Sequence, residues 1–158
     1  MVTCNYAVVR FLPYRETGEF VNVGVVLFCR ESRFFDLLLE TKETKRVKGF
    51  FPEMDLSLLV ERGRAFESEL CRVKDLLTAR DRGLDEAARE GIFRELIRPR
   101  ESIFRFGEPG TVLTEDPAGK LQELFERYVS RHFGSRPYKE EGKVMLTHAV
   151  EDLKEVVT

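Results

Sequence analysis

The chain has no tryptophan, only three cysteines and only two histidines in 158 residues. Each scarcity excludes something. Cys4, Cys29 and Cys71 are too few and too scattered for a zinc cluster. Their odd number argues against a disulfide framework, so the reading is reduced thiols in a cytoplasmic protein. Cys29 and Cys71 fall on apolar faces and read as small core residues. His132 and His148 stand in no metal-ligand spacing, and the reading assigns no metal and no cofactor. Long apolar runs are missing as well. The longest, Val23–Cys29, falls far short of the roughly twenty residues of a membrane helix, so no membrane span is expected. No basic-then-apolar leader opens the chain. No phosphate-binding P-loop, nucleophile elbow or dinucleotide fingerprint occurs.

There is no large excess of either charge. The formal net charge is −2, which disfavours a non-specific nucleic-acid binder. Arg94–Arg100 is locally basic, but its acidic neighbours dilute it to a solvated helix end. The apolar fraction, 42%, is that of a globular chain rather than a disordered one. With no repeat and no linker, residues 1–158 read as one domain.

What is there begins with Asn5–Arg30. Asn5–Leu12 alternates Tyr6, Val8, Arg10 and Leu12 against Ala7, Val9 and Phe11, and both faces are mostly apolar. That pattern predicts an interior strand. Pro13 ends it, and Gly18 turns the following loop. Phe20–Cys29 is richly β-branched and predicts a second strand. Phe34–Glu40 returns as a third after a tight polar turn. Three strands with such short connections make an antiparallel meander.

Thr41–Glu53 reads as a charged loop, marked by Gly49 and Pro52 and pinned to the core by Phe50 and Phe51. Asp55 then caps a long helix whose stripe is Leu56, Leu59, Gly63, Phe66, Leu70, Val73 and Leu77. A coiled coil is the other reading of that stripe, but Gly63 and the short length favour packing on a sheet. Gly83 reads as its C-cap. A shorter helix over Asp85–Ile97 carries Ala88, Ile92, Phe93 and Leu96, and Pro99 ends it. Ser102–Phe106 and Thr111–Leu113 read as short strands around the Gly107–Gly110 turn. Asp116-Pro117 opens a helix with Asp as N-cap and Pro at the first helical position. Its stripe is Leu121, Leu124, Phe125, Tyr128 and Val129. Lys143–Leu146 fits a strand or a helix start, and His148–Val157 a terminal helix. The fold class is α+β: an antiparallel sheet covered by helices mainly on one face.

The candidate site is the polar set set into the first hairpin: Arg10, Arg15, Glu19, Asn22 and Gly24. Arg10 and Asn22 should lie within a residue or two of each other across the strands. A buried arginine needs acceptors, and Glu19 is the nearest carboxylate past the turn. One reading is therefore structural: Arg10 pairs with a glutamate and Asn22 bonds the loop backbone. The other is an anion-binding corner, with Arg10 and Arg15 placed for phosphate or carboxylate. Gly24 marks a bulge or leaves room for a packed aromatic or a ligand. Glu16, Glu19, Asp36 and Glu40 raise the question of metal-dependent hydrolysis. A meander followed by a helix is similar to the start of ribonuclease-H-like nucleases, but Arg10 stands where such a site needs an acid.

Two stretches together carry a family resemblance. One is Tyr6-x-x-Val9-Arg10-Phe11-x-Pro13 followed by Glu19-Phe20-x-Asn22-Val23-Gly24-Val25. The other is Thr114-Glu115-Asp116-Pro117 with Leu121, Leu124-Phe125 and Val129. The chain resembles the bacterial domain-of-unknown-function family DUF3037 over roughly residues 4–130, which leaves 131–158 as an unmatched tail. The resemblance implies a small cytoplasmic protein with no assigned activity and no catalytic residue to carry over. Members are often encoded beside a HipA-like kinase-fold protein, which implies a protein partner. The expectation is an accessory or interaction module. The alternative is an enzyme or binding protein for a phosphate-containing small molecule or nucleic acid, using Arg10, Arg15, Glu19 and Asn22.

Overall fold

The computed structural model describes residues 1–42 and 44–130. The expectations for His132, His148 and the elements of the tail lie outside the described residues. Three strands open the chain: β1 (Val2–Phe11), β2 (Val21–Cys29) and β3 (Phe34–Leu39). They pair as consecutive antiparallel neighbours, as their alternation and short turns predict. Strands β4 (Phe104–Phe106) and β5 (Gly110–Thr114) follow much later in the chain. They do not pair with each other as a hairpin. Both lie along the free edge of β1, β4 beside Val9–Phe11 and β5 beside Val2–Tyr6. The sheet order is β3-β2-β1-β4, with β5 also on β1, so β1 is interior as expected.

Between β3 and β4 come α1 (Lys45–Phe50), α2 (Ser57–Thr78) and α3 (Glu86–Ile97), and after β5 comes α4 (Pro117–Phe125). Helix α4 continues into a π-helical turn, Glu126–Ser130. Helices α1 to α3 supply Val47, Leu59, Leu70, Leu77 and Phe93 to a core on one face of the sheet, against Ala7, Val9, Phe11 and Phe28. The fourth helix covers the opposite face, where Leu121, Leu124 and Val129 pack on Cys4, Val25, Leu27 and Cys29. The helical cover is thus three helices on one face and one on the other.

A bulge decides which β2 side chains face which core. Val9 pairs with Gly24 and Arg10 with Asn22, so Val23 is an extra residue on β2. Its parity shifts there. Val21 and Val23 share the first core with Val26 and Phe28, while Val25, Leu27 and Cys29 face the second. Gly24 sits at the bulge because β3 comes close. A Cβ there would stand 2.7 Å from the Leu38 carbonyl oxygen and 2.6 Å from Leu39 Cδ1. Of the readings offered for Gly24 the bulge is the one seen, and the space beside it is taken by Leu38 and Leu39 of β3 rather than by an aromatic ring.

Several local expectations are corrected. Thr41–Glu53 is not all loop, because Thr44 caps α1 by accepting from Val47 N at 3.2 Å, and Val47 is fully buried. A helix of six residues is too short to show periodicity, and Gly49 inside it disguises it further. Phe51 is in the core, but Phe50 is 46% exposed. Helix α2 ends at Thr78, so Gly83 (φ 66°) belongs to the turn beyond it rather than to the cap. In α3 the buried residue beside Phe93 is Arg89, not Ala88. Arg89 donates Nη1 to the Arg30 carbonyl at 2.7 Å. The helix starts hold: Asp55 accepts from Ser57 N, Asp85 from Ala88 N and Asp116 from Gly119 N. The bond from Ser57 N keeps the Asp55 carboxyl below the usual carboxylate range.

Cysteine is the largest correction. Cys4 and Cys29 are cross-strand neighbours with Cα atoms 4.3 Å apart, joined as a disulfide between β1 and β2. Both are fully buried. Cys71 is the free thiol, and it is exposed on α2 rather than in the core. An odd cysteine count says nothing about a single bridge, and only the β1–β2 register brings this pair together.

Candidate functional site

The hairpin polar residues divide into two places. Arg10 and Asn22 are direct partners across β1 and β2. Asn22 is a structural tie: its Nδ2 donates to the Tyr128 carbonyl at 3.2 Å, linking the π turn to the sheet. The Asn22 carbonyl accepts from Arg46 Nη2 at 2.7 Å, and the same nitrogen reaches Glu40 at 2.6 Å. Glu40 is therefore committed to an ion pair, as is Asp36, which holds Lys74 at 3.0 Å. Among the described residues no cluster of His, Cys, Asp and Glu is placed to hold a metal ion.

Arg10 has no carboxylate partner among the described residues. Its guanidinium instead stacks on Phe20, with Cζ 4.3 Å from the ring centre. The ring face carries negative charge density, which stabilises a half-buried cation where no carboxylate is at hand. Gly107 lies close to the same group: a Cβ there would stand 3.1 Å from Arg10 Cζ. Nε is buried without a hydrogen-bond partner. On the far side of β1, Arg10 is directly paired with Arg105 of β4. Arg105 donates Nε to the Ser102 carbonyl at 3.0 Å.

Arg15 and Glu19 lie away from that row. Arg15 pairs with Glu101 at 2.8 Å, both side chains more than 70% exposed, so the pair is screened and worth little. Glu19 lines a groove of about 370 Å³ at the loop end of the hairpin. The floor is aromatic. Phe51 is buried beneath Tyr14 and Phe50, with ring centres 5.9 and 4.8 Å away, both edge-on. Pro52 extends it, and Glu16, Glu19 and Glu53 line the groove with them. Tyr14 and Phe50 stay more than a third exposed. None of the three glutamates forms an ion pair with a described residue.

The five expected residues thus do not form one corner. Arg10 and Asn22 are together, Gly24 supports the bulge beside them, Glu19 belongs to the aromatic groove and Arg15 to a surface pair. Phe20, Arg105 and Gly107 are the residues the sequence reading left out of the site. One signal was present: Arg105 is flanked by Phe104 and Phe106, the alternation of a strand with one polar face.

On the second face, Tyr6 and Tyr128 share a hydroxyl–hydroxyl hydrogen bond of 3.3 Å. That bond, with burial adding to it, raises the Tyr6 phenol above its ordinary value.

An antiparallel sheet with helical layers on both faces defines an α+β fold. The family described as "Protein of unknown function (DUF3037)" matches residues 6–129, and the chain belongs to it. No curated protein and no solved structure matches the chain. Among the described residues no helix is long and apolar enough to cross a membrane.

Proposed function

We propose that the protein is a non-catalytic interaction module that grips a segment of a protein partner in the Tyr14–Phe50–Phe51–Pro52 groove. The observation that carries this is the exposed aromatic floor lined with three uncommitted carboxylates. Exposing Tyr14 and Phe50 to water is unfavourable unless something covers them. Aromatic side chains are also the usual anchors of protein interfaces. The acidic lining states the partner's chemistry: a proline or apolar side chain next to lysine or arginine. Proline fits an aromatic floor because it costs little conformational entropy to bind.

The bacterial cytoplasm is the proposed setting, and a HipA-like kinase-fold protein is the first partner to test. The Cys4–Cys29 disulfide weighs against a reducing compartment, although full burial shelters it from soluble thiols. The test is calorimetric titration of the full chain with that protein, repeated with the double variant Tyr14→Ser, Phe50→Ser. Both positions are exposed, so the fold should tolerate the change. Binding that weakens at least about tenfold, a loss of about 1.4 kcal/mol, supports the groove. Binding that is unchanged assigns the contact to another surface.

A further inference from the structure

The aromatic groove leaves the arginine row without a role. Arg10 and Arg105 are directly opposed across β1 and β4, so both side chains leave the sheet on one face. Like charges placed opposite each other destabilise a sheet. No described carboxylate offsets them within ion-pair distance. Glu101, which lines a groove of about 250 Å³ together with Arg105, is already engaged by Arg15.

Arg10 is held by its neighbours. Phe20 stacks on its guanidinium, and Gly107 comes so close that a Cβ there would lie 3.1 Å from Cζ. Neither terminal nitrogen donates to a described residue, and Nε is buried and unpartnered. Arg105 spends only its Nε, on the Ser102 carbonyl. A guanidinium fixed in advance with free donors suits an oxyanion, since little freedom is lost on binding. Charge decides which oxyanion. Two cations rooted opposite each other on one face match a dianion better than a monoanion, and a phosphate monoester carries close to two negative charges above its second ionisation.

The geometry points to an oxyanion site at the Arg10–Arg105 row that takes the phosphate group of a small phosphomonoester. It is independent of the aromatic groove, because neither arginine lines that groove. The test is titration of the full chain with inorganic phosphate, glycerol phosphate and acetate at constant ionic strength and about pH 8, where phosphate is a dianion. Thermal midpoint and phosphorus NMR linewidth are the readouts. Both phosphates should raise the midpoint saturably, because a ligand of the native state stabilises it, and acetate should not. Arg105→Gln and Gly107→Ala should each weaken the apparent affinity about tenfold or more with the circular-dichroism spectrum unchanged. Tighter binding of glycerol phosphate than of inorganic phosphate marks an ester as the ligand, and equal binding marks free phosphate. The site is overturned if phosphate acts no differently from acetate. It is equally overturned if saturable phosphate binding survives in Arg105→Gln with the circular-dichroism spectrum of the natural chain.

Discussion

The guanidinium of Arg10 rests on the ring of Phe20 at 4.3 Å, in the place where the sequence leads one to expect a carboxylate. A cation–π contact of this kind is worth about 0.5–2 kcal/mol, well below the roughly 3–5 kcal/mol of a broken buried ion pair. Arg10→Ala should therefore lower stability by about 1–2 kcal/mol. The double-mutant cycle of Arg10→Ala with Phe20→Leu, measured in urea, should show a coupling of about 0.5–1 kcal/mol. A coupling near zero would mean that the ring does not hold the guanidinium.

Helix α2 is fixed to the sheet by aromatic contact. Phe66 stacks on Phe104 with ring centres 4.9 Å apart and lies 5.9 Å from Phe106. Phe66→Ala should cost about 3 kcal/mol on denaturant unfolding, through lost burial and the cavity left behind. A cost under about 1 kcal/mol would place Phe66 on a surface instead.

Gly24→Ala tests the bulge. The added methyl would press on the Leu38 carbonyl, which is backbone in a sheet and cannot swing away. A loss of about 2 kcal/mol or more is expected from such overpacking. A neutral outcome would show that β2 and β3 separate there easily.

The thiols give a count that can be read directly. Of the three cysteines, Cys71 alone should react with a thiol reagent when the unreduced chain is unfolded, and all three after reduction. The bridge closes a sequence separation of 25, so reduction should lower stability by about 3 kcal/mol. Three reactive thiols without reductant would contradict the bridge.

Alkaline pH should weaken the second core. The Tyr6 phenol is raised in the folded state by its bond to Tyr128. Folding then favours the protonated ring, so the contribution is fully present below the unfolded value near 10 and is lost as pH rises through the raised one. Stability should fall above about pH 10, and Tyr6→Phe should flatten that fall. An unchanged slope in the variant would assign it to other groups.

The strands, the long helix and the capped helix starts were legible because each is written locally, in alternation, in a three-and-four stripe, or in an Asp before an apolar run. What escaped is set by distance along the chain. The β2 bulge shifts parity at Val23–Gly24, which no alternation count reveals. The Arg10–Arg105 register joins residues far apart in sequence through an edge shared by β4 and β5. Arg15 and Glu19 flank the same loop as Arg10 and Asn22, yet the turn sends them to other neighbours. Hairpin proximity places backbones and does not place the tips of long side chains.

The central claim is that the Tyr14–Phe50 groove holds a basic, proline-bearing or apolar segment of a partner. Selection of peptides on the immobilised full chain, followed by calorimetry of the enriched sequences, tests it most directly. The account predicts enrichment of lysine or arginine beside proline or an apolar residue. It also predicts affinity that falls at least about tenfold in Tyr14→Ser, Phe50→Ser and falls with added salt. Enriched peptides that are acidic, or that bind the double variant as tightly as the natural chain, would contradict it.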